Sequence, residues 1–276
     1  MSNDDQSEYW NGPAGQRWVD HSNRLEDMLA PFAERVLEVA EIQAGEHVLD
    51  IGCGAGLLTM KAAQTAGGAL GVDISAPLIV LARQRASRDN SIARFKLADA
   101  SVFSTETKAD VVASRFGVMF FDDPVAAFAN IKASTKSEGR LCFACWQAMP
   151  LNEWVFAPLQ ATLPLLKEPP TPPAPNEPGP FAFANKDRVA ELLTQAGWTN
   201  ISIEPFTPPI KLPADDIEST AKFTLGIGPL SRVLEEQNLE PAAIEAALVD
   251  QLSSAVTDDG FITMGSAAWI VCADAG

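Results

Sequence analysis

The sequence predicts an α/β fold built on a doubly wound, mostly parallel sheet, and three stretches carry that expectation. The run Val48-Leu-Asp-Ile51 breaks into Gly52-Cys-Gly54-Ala-Gly56, as a buried strand does when it opens into a turn that cradles a ligand. Ala69-Leu-Gly-Val-Asp-Ile-Ser75 follows as a second short strand, with Asp73 about twenty residues beyond the glycines, where doubly wound folds place a carboxylate for ribose hydroxyls. Ala93-Arg-Phe-Lys-Leu-Ala-Asp-Ala100 is a third, with Asp99 at its exit. Asp50, Asp73 and Asp99 thus mark three consecutive strand ends, which share one edge of a parallel sheet.

The remaining elements fall in order around this centre. Before the first strand, Leu25, Met28, Leu29, Phe32, Val36 and Val39 recur at helical spacing, and Pro31 suits the first turn of a new helix, so two helices parted near Ala30 are expected. The aromatic, turn-rich segment Tyr9–Trp18 is too polar for a core helix, and residues 8–22 around it read as a mobile lid that closes over the ligand. A helix-compatible stretch runs from Leu57 to Ala66. Lys108–Ser114 is the fourth strand, Arg115–Phe121 leaves it at the ligand-bearing edge, and Asp122-Asp-Pro124 opens a helix. Gly139–Trp146 is the fifth strand. Pro169, Pro170, Pro172, Pro173, Pro175, Pro178 and Pro180 then mark a semi-rigid linker. A helix over 185–196 closed by Gly197, a strand over 200–205, a helical insertion over 206–258 and a last strand over 263–273 complete the chain. The domain plan is a lid (1–44), a ligand-binding core (45–148), a Pro-rich linker (149–184), and the end of the sheet with its insertion (185–276).

Composition narrows the partners. With 276 residues, 47% of them hydrophobic, the chain has ample material for a core. A net charge of −16 and a pI near 4.5 argue against nucleic acid and against anionic membrane surfaces. Neither a leader-like N-terminus nor an uninterrupted apolar run of spanning length is present, so a cytoplasmic monomer or homodimer acting on a small molecule is expected. Cys53, Cys142, Cys145 and Cys272 look like reduced thiols. Cys142 and Cys145, three apart on a strand, face opposite ways and suit neither a metal nor a redox pair.

Glycines at 52, 54 and 56 permit a sharp turn and a close ligand approach. Their spacing, D-x-G-x-G-x-G, differs from the G-x-G-x-x-G of dinucleotide folds and resembles motif I of class I S-adenosylmethionine-dependent methyltransferases. The whole chain is similar to the type 11 group of that family, which includes ubiquinone and menaquinone C-methyltransferases. The resemblance implies a Rossmann-like seven-stranded sheet of order 3-2-1-4-5-7-6 with the last strand antiparallel, and S-adenosyl-L-methionine as cofactor. It implies a cofactor site of Trp10, Trp18, Asp50, Gly52, Cys53, Gly54, Gly56, Asp73, Ile74, Asp99, Ala100, Arg115 and Phe116, with Asp99 at the adenine amino group. The glycine turn would hold the methionine carboxylate, Asp50 the amino group, and aromatics the sulfonium.

Transfer by in-line displacement needs positioning, and needs a base only where the acceptor must lose a proton. His21 and Tyr9 on the lid are the candidate acid–base groups, while His47 is structural. Arg115 suits an acidic acceptor bidentately, or pins the lid through an acid such as Asp20. Trp10, Trp18, Phe116, Met119, Phe120 and Trp146 are candidate walls of an acceptor pocket between the lid, the 115–121 segment and the 206–258 insertion. The residues fit O-, N-, S- or C-methylation equally. A cofactor-binding protein without catalysis, or less readily a nicotinamide-dependent oxidoreductase, are the alternatives.

Overall fold

The computed structural model describes residues 3–171, 174, 177–237, 239 and 241–276; Pro172, Pro173 and Pro175 of the expected linker lie outside them. Contacts divide the chain into two units: Met1–Trp146 with Pro175–Phe206 and Ala268–Gly276, and Gln147–Ala174 with Thr207–Ala267.

The first unit holds the sheet. Its strands are β1 (His47–Ile51), β2 (Gly68–Asp73), β3 (Arg94–Leu97), β4 (Ala109–Arg115), β5 (Thr135–Trp146), β6 (Thr199–Phe206) and β9 (Ala268–Asp274), in the order β3-β2-β1-β4-β5-β9-β6. β1 to β5 pair in parallel, and β9 runs antiparallel to both β5 and β6. Counted along the sheet this is the expected 3-2-1-4-5-7-6 arrangement, and it brings the exits of β1, β2 and β3 to one edge.

The helices of this unit are α1 (Asn3–Asn11), α2 (Pro13–Asp20), α3 (Ser22–Ala40), α4 (Leu57–Ala62), α5 (Ala76–Arg88), α6 (Pro124–Ala133) and α8 (Lys186–Gln195). Asp123 caps α6 by accepting from the Ala126 N–H, and Asn185 caps α8 in the same way. α3 is one helix through Pro31, where two helices were expected. An interior proline costs about 3 kcal/mol. Leu25, Met28, Leu29, Phe32 and Val36 are all buried along the same helix, at about 1.5–3 kcal/mol for each such side chain, so packing outweighs the lost backbone bond. The helix ends where Glu41 turns left-handed (φ 47°), and Arg140 donates to the freed carbonyls of Ala40 (2.6 Å) and Glu41 (3.0 Å). α4 stops at Ala62, shorter than the expected stretch, and turns carry the chain to Gly67 and β2.

The second unit contains α7 (Glu153–Thr162), α9 (Ile217–Gly226), α10 (Gly228–Gln237), α11 (Pro241–Ser254) and a two-stranded antiparallel sheet of β7 (Ile210–Pro213) and β8 (Phe261–Met264). The 206–258 insertion is therefore not purely helical, and the last expected strand is two strands parted at Gly265-Ser-Ala267. Ile210, Leu212, Ile262 and Met264 are buried, so each short strand turns alternate residues inward as a half-covered ribbon does.

Candidate cofactor site

β1 ends in a loop whose glycines do separate jobs. Gly52, Gly54 and Gly56 all have positive φ (65°, 54° and 90°). A Cβ on Gly52 would lie 2.6 Å from the Gly117 Cα, and one on Gly56 would lie 2.7 Å from the Phe95 ring, so these two are required by the protein's own packing. Among the described residues, chain neighbours aside, nothing lies within 4 Å of where a Cβ on Gly54 would stand. That position faces open space, and its N–H is held by the Asp73 carboxylate at 2.8 Å.

The cleft beside the loop is lined by Trp18, Ser22, Leu25, Glu26, Asp50, Gly52, Cys53, Gly54, Ala55, Leu58, Leu78 and Arg115. Two polar atoms in it are buried without a partner among the described residues, Asp50 Oδ1 and Arg115 Nη1. The other Asp50 oxygen accepts from Thr59 Oγ1 at 2.6 Å. Burial pushes the Asp50 carboxyl up to about 7, against the Thr59 hydrogen bond and the Arg115 charge. Burial likewise lowers the Arg115 guanidinium, opposed by Glu26 and Asp50, and raises Glu26, opposed chiefly by Arg85. An acid and a base, each with one unsatisfied buried atom in the same cleft as an open glycine turn, fit a ligand end carrying an ammonium and a carboxylate, as the methionine end of S-adenosylmethionine does.

The other strand ends are placed as their sequence positions indicate. Asp73 accepts from the Gly54 N–H and from the Ser75 N–H at 2.8 Å, with Ile74 between; its pKa is raised by burial against these bonds. Asp99 accepts from the Ser101 N–H and Oγ and from Asn3 Nδ2 at 2.9 Å, and Ala100 follows it buried. Helix α1 is therefore clasped to the β3 exit. Asn11 clasps the β2 exit, donating to Ile74 O at 2.9 Å and accepting from the Ala76 N–H at 2.8 Å, while Ser75 Oγ donates to Trp10 O. The segment expected as a turn-rich lid is two helices.

Of the expected site residues, Trp18, Asp50, Gly52, Cys53, Gly54 and Arg115 share the cleft. Trp10 stands next to it, edge-on to Trp18 at 5.5 Å and also touching Tyr9 and Phe120. His21 joins α2 to α3, immediately before Ser22 of the cleft wall. Phe116 and Trp146 stack at 3.9 Å against Phe32, and with Met119 they are buried in the core. Arg115 does not reach Asp20, whose carboxylate accepts from Gln16 (2.8 Å); its charge faces Glu26 and Asp50. His47 is exposed at the start of β1, with its N–H on Asp110.

The sequence reading missed Glu26 and Arg85. Arg85 is 6% exposed and donates to Glu26 (2.5 Å), Asn23 (2.6 Å), Ser22 (3.1 Å) and Ala55 O (3.4 Å), joining α5 to the start of α3 and the glycine loop. Arg85 is bracketed by inward-facing Ala82 and Ala86, and that position on an apolar stripe was the signal available.

Residues 49–143 match the family model described as a methyltransferase domain. The chain is 27% identical over 243 residues to nocamycin O-methyltransferase of Saccharothrix syringae, covering 83% of this chain and 85% of that one. It is 28% identical over 138 residues to ubiquinone biosynthesis O-methyltransferase of Coxiella burnetii, covering 50% and 56%, so it spans about half the length of that relative. The solved structure of the YcgJ protein from Bacillus subtilis superposes with a TM-score of 0.58 at 16% identity, covering 89% of this chain and 98% of the other. Solved proteins of this fold include complexes with S-adenosyl-L-methionine. Among the described residues no helix is long and apolar enough to cross a membrane.

Proposed function

We propose that the protein is an S-adenosylmethionine-dependent methyltransferase, its cofactor held by the 49–143 segment that matches the methyltransferase-domain model, and that it methylates an oxygen atom of a small molecule by in-line displacement. The observation that carries the cofactor's placement is the pair of orphaned buried atoms, Asp50 Oδ1 and Arg115 Nη1, in the cleft beside Gly54. Similarity to an O-methyltransferase along most of both chains supports oxygen as the acceptor atom.

The cofactor supplies an electrophilic methyl group on a positively charged sulfur. Asp50 accepts from its ammonium and Arg115 donates to its carboxylate, each satisfying an atom that is otherwise buried unpaired. The open face of Gly54 lets the backbone approach the ligand. Asp73 keeps lone pairs free for the ribose hydroxyls, and Asp99 and Ala100 hold the adenine edge. Trp18 offers its ring to the positive sulfur, backed by Trp10. His21, next in sequence to Ser22 of the cleft wall, takes the acceptor proton, and Tyr9, whose ring packs edge-on against Trp10, orients the acceptor.

Isothermal titration tests the reading. S-adenosylhomocysteine binds and NAD does not; heat from NAD with none from S-adenosylhomocysteine overturns it.

A further inference from the structure

The thiols of Cys142 and Cys272 form a pair that methyl transfer does not use. Cys142 on β5 stands directly opposite Cys272 on β9, in a register that is unbroken from Arg140–Asp274 to Trp146–Ala268. Backbone bonds at both ends fix the phase of this ladder: the Ala275 N–H donates to Gly139 O at 2.8 Å, and the Gln147 N–H donates to Ala267 O at 2.9 Å. Hydrogen-bonded and non-hydrogen-bonded pairs alternate in an antiparallel ladder, so Cys142–Cys272 occupies a non-hydrogen-bonded position. Cα atoms there are about 4.5 Å apart, inside the roughly 4.4–6.8 Å that a disulfide spans.

The two thiols also differ in a useful way. Cys142 is buried under α3, with its Sγ 3.8 Å from Val39 O, while Cys272 is half-buried and reachable. The facing Cys272 thiol together with burial raises Cys142; the facing Cys142 thiol and the Arg35 charge lower Cys272, opposed by burial and Asp274. Cys272 is the better nucleophile and Cys142 the resolving thiol. Cys145 points to the opposite sheet face, toward Phe183 O, and its thiol is pushed up by burial.

We propose that Cys142 and Cys272 are a reversible dithiol–disulfide site oxidised by hydroperoxides. The Cys272 thiolate attacks a peroxide oxygen; the S–O bond forms, the O–O bond breaks and hydroxide leaves, taking up a proton as water. Cys142 sulfur then attacks the sulfenic sulfur; the S–S bond forms, the S–O bond breaks, and the Cys142 proton leaves with the hydroxide as a second water. Two thiols and one hydrogen peroxide give one disulfide and two waters, and a dithiol reverses the change.

The test treats the full reduced chain with hydrogen peroxide, blocks remaining thiols with N-ethylmaleimide and maps peptides without reduction. Most of the protein carries a Cys142–Cys272 linked peptide, and dithiothreitol removes it. In Cys142→Ser, dimedone captures a sulfenic acid at Cys272 and no link forms; in Cys272→Ser, Cys142 stays unmodified. Absence of the linked peptide in the wild type, or dimedone capture at Cys142 in Cys272→Ser, overturns the proposal. The wild-type map decides by itself should a variant fail to fold.

Discussion

Asp50 is the residue whose charge the fold and the ligand dispute. Without a ligand, burial holds its carboxyl near 7 rather than at the ordinary 3.8. Three units correspond to about 4 kcal/mol at about 1.4 kcal/mol per unit. The folded state binds the proton more tightly than the unfolded chain, so this penalty is absent below the ordinary value, grows as pH rises toward 7, and is constant above. Asp50→Asn therefore stabilises the ligand-free protein near pH 8 by up to about 4 kcal/mol, less the weakened Thr59 bond, and the gain shrinks to under about 2 kcal/mol near pH 5.

Binding reverses the preference. An ammonium against Asp50 Oδ1 requires the ionised carboxylate, so below about pH 7 affinity must bear the work of removing a proton. At about pH 6 only a tenth of the carboxylate is ionised, and wild-type affinity for S-adenosylhomocysteine falls about tenfold from its value near pH 8. In Asp50→Asn affinity near pH 8 drops by about 1.5–3 kcal/mol, and its dependence on pH over this range flattens. Titration calorimetry in buffers of different ionisation enthalpy reads both the affinity and the proton released. Asp73 and Glu26 are also raised by burial, and the asparagine variant separates their contributions from that of Asp50. A wild-type affinity that is flat between about pH 5.5 and 8.5, or an unweakened Asp50→Asn, refutes the assignment of Asp50 to the ammonium.

Other outcomes follow from the same geometry. Asp73→Ala weakens S-adenosylhomocysteine at least about tenfold and also lowers the melting temperature, because the Gly54 and Ser75 N–H groups lose their acceptor; an affinity unchanged in a folded variant moves the ribose site elsewhere. Gly54→Ala folds at a cost of about 1–2 kcal/mol yet binds poorly, whereas Gly56→Ala meets the Phe95 ring and loses stability first; equal effects of the two on melting would remove the division of labour between them. His21→Ala lowers kcat about a hundredfold or more with little change in cofactor affinity, and unchanged turnover excludes it as the base. Amides of 3–22 exchange more slowly with S-adenosylhomocysteine bound, and Asn11→Ala, which removes two clasps to the β2 exit, speeds exchange there in the free protein; rates indifferent to the ligand make α1 and α2 a fixed layer rather than a lid.

The parts of the fold that were legible are those written in local chemistry. Strands β1 to β3 announce themselves by short runs that lead into Gly52, Asp73 and Asp99, and an edge carrying Asp50, Asp73 and Asp99 follows from parallel pairing alone. β7 was not legible, since it lies between Pro209 and Pro213 and finds its partner β8 about fifty residues later. Pro31 misled for the opposite reason: the local rule against interior prolines was outweighed by a buried face that only the sheet beneath could supply.

The site divides along the same line. Gly54 and Asp50 were readable as candidate ligand groups because a turn and a strand end are local features, but what sets Asp50 apart is its isolation from water, and isolation is a property of packing. Arg115 is the sharper case. From sequence its charge suited an acceptor or Asp20; in the fold it lies in one cleft with Asp50 and is felt by Glu26, which Arg85 in turn anchors. A buried cation that feels the charges of two acids and has one unpartnered nitrogen, in the same cleft as a glycine turn, is better matched to a fixed zwitterion than to a variable acceptor, because each acceptor would have to satisfy the same desolvated nitrogen. On the function proposed above, the methionine end of the cofactor meets that demand in every turnover, and acceptor choice is left to residues that carry no such debt, such as His21 and Tyr9.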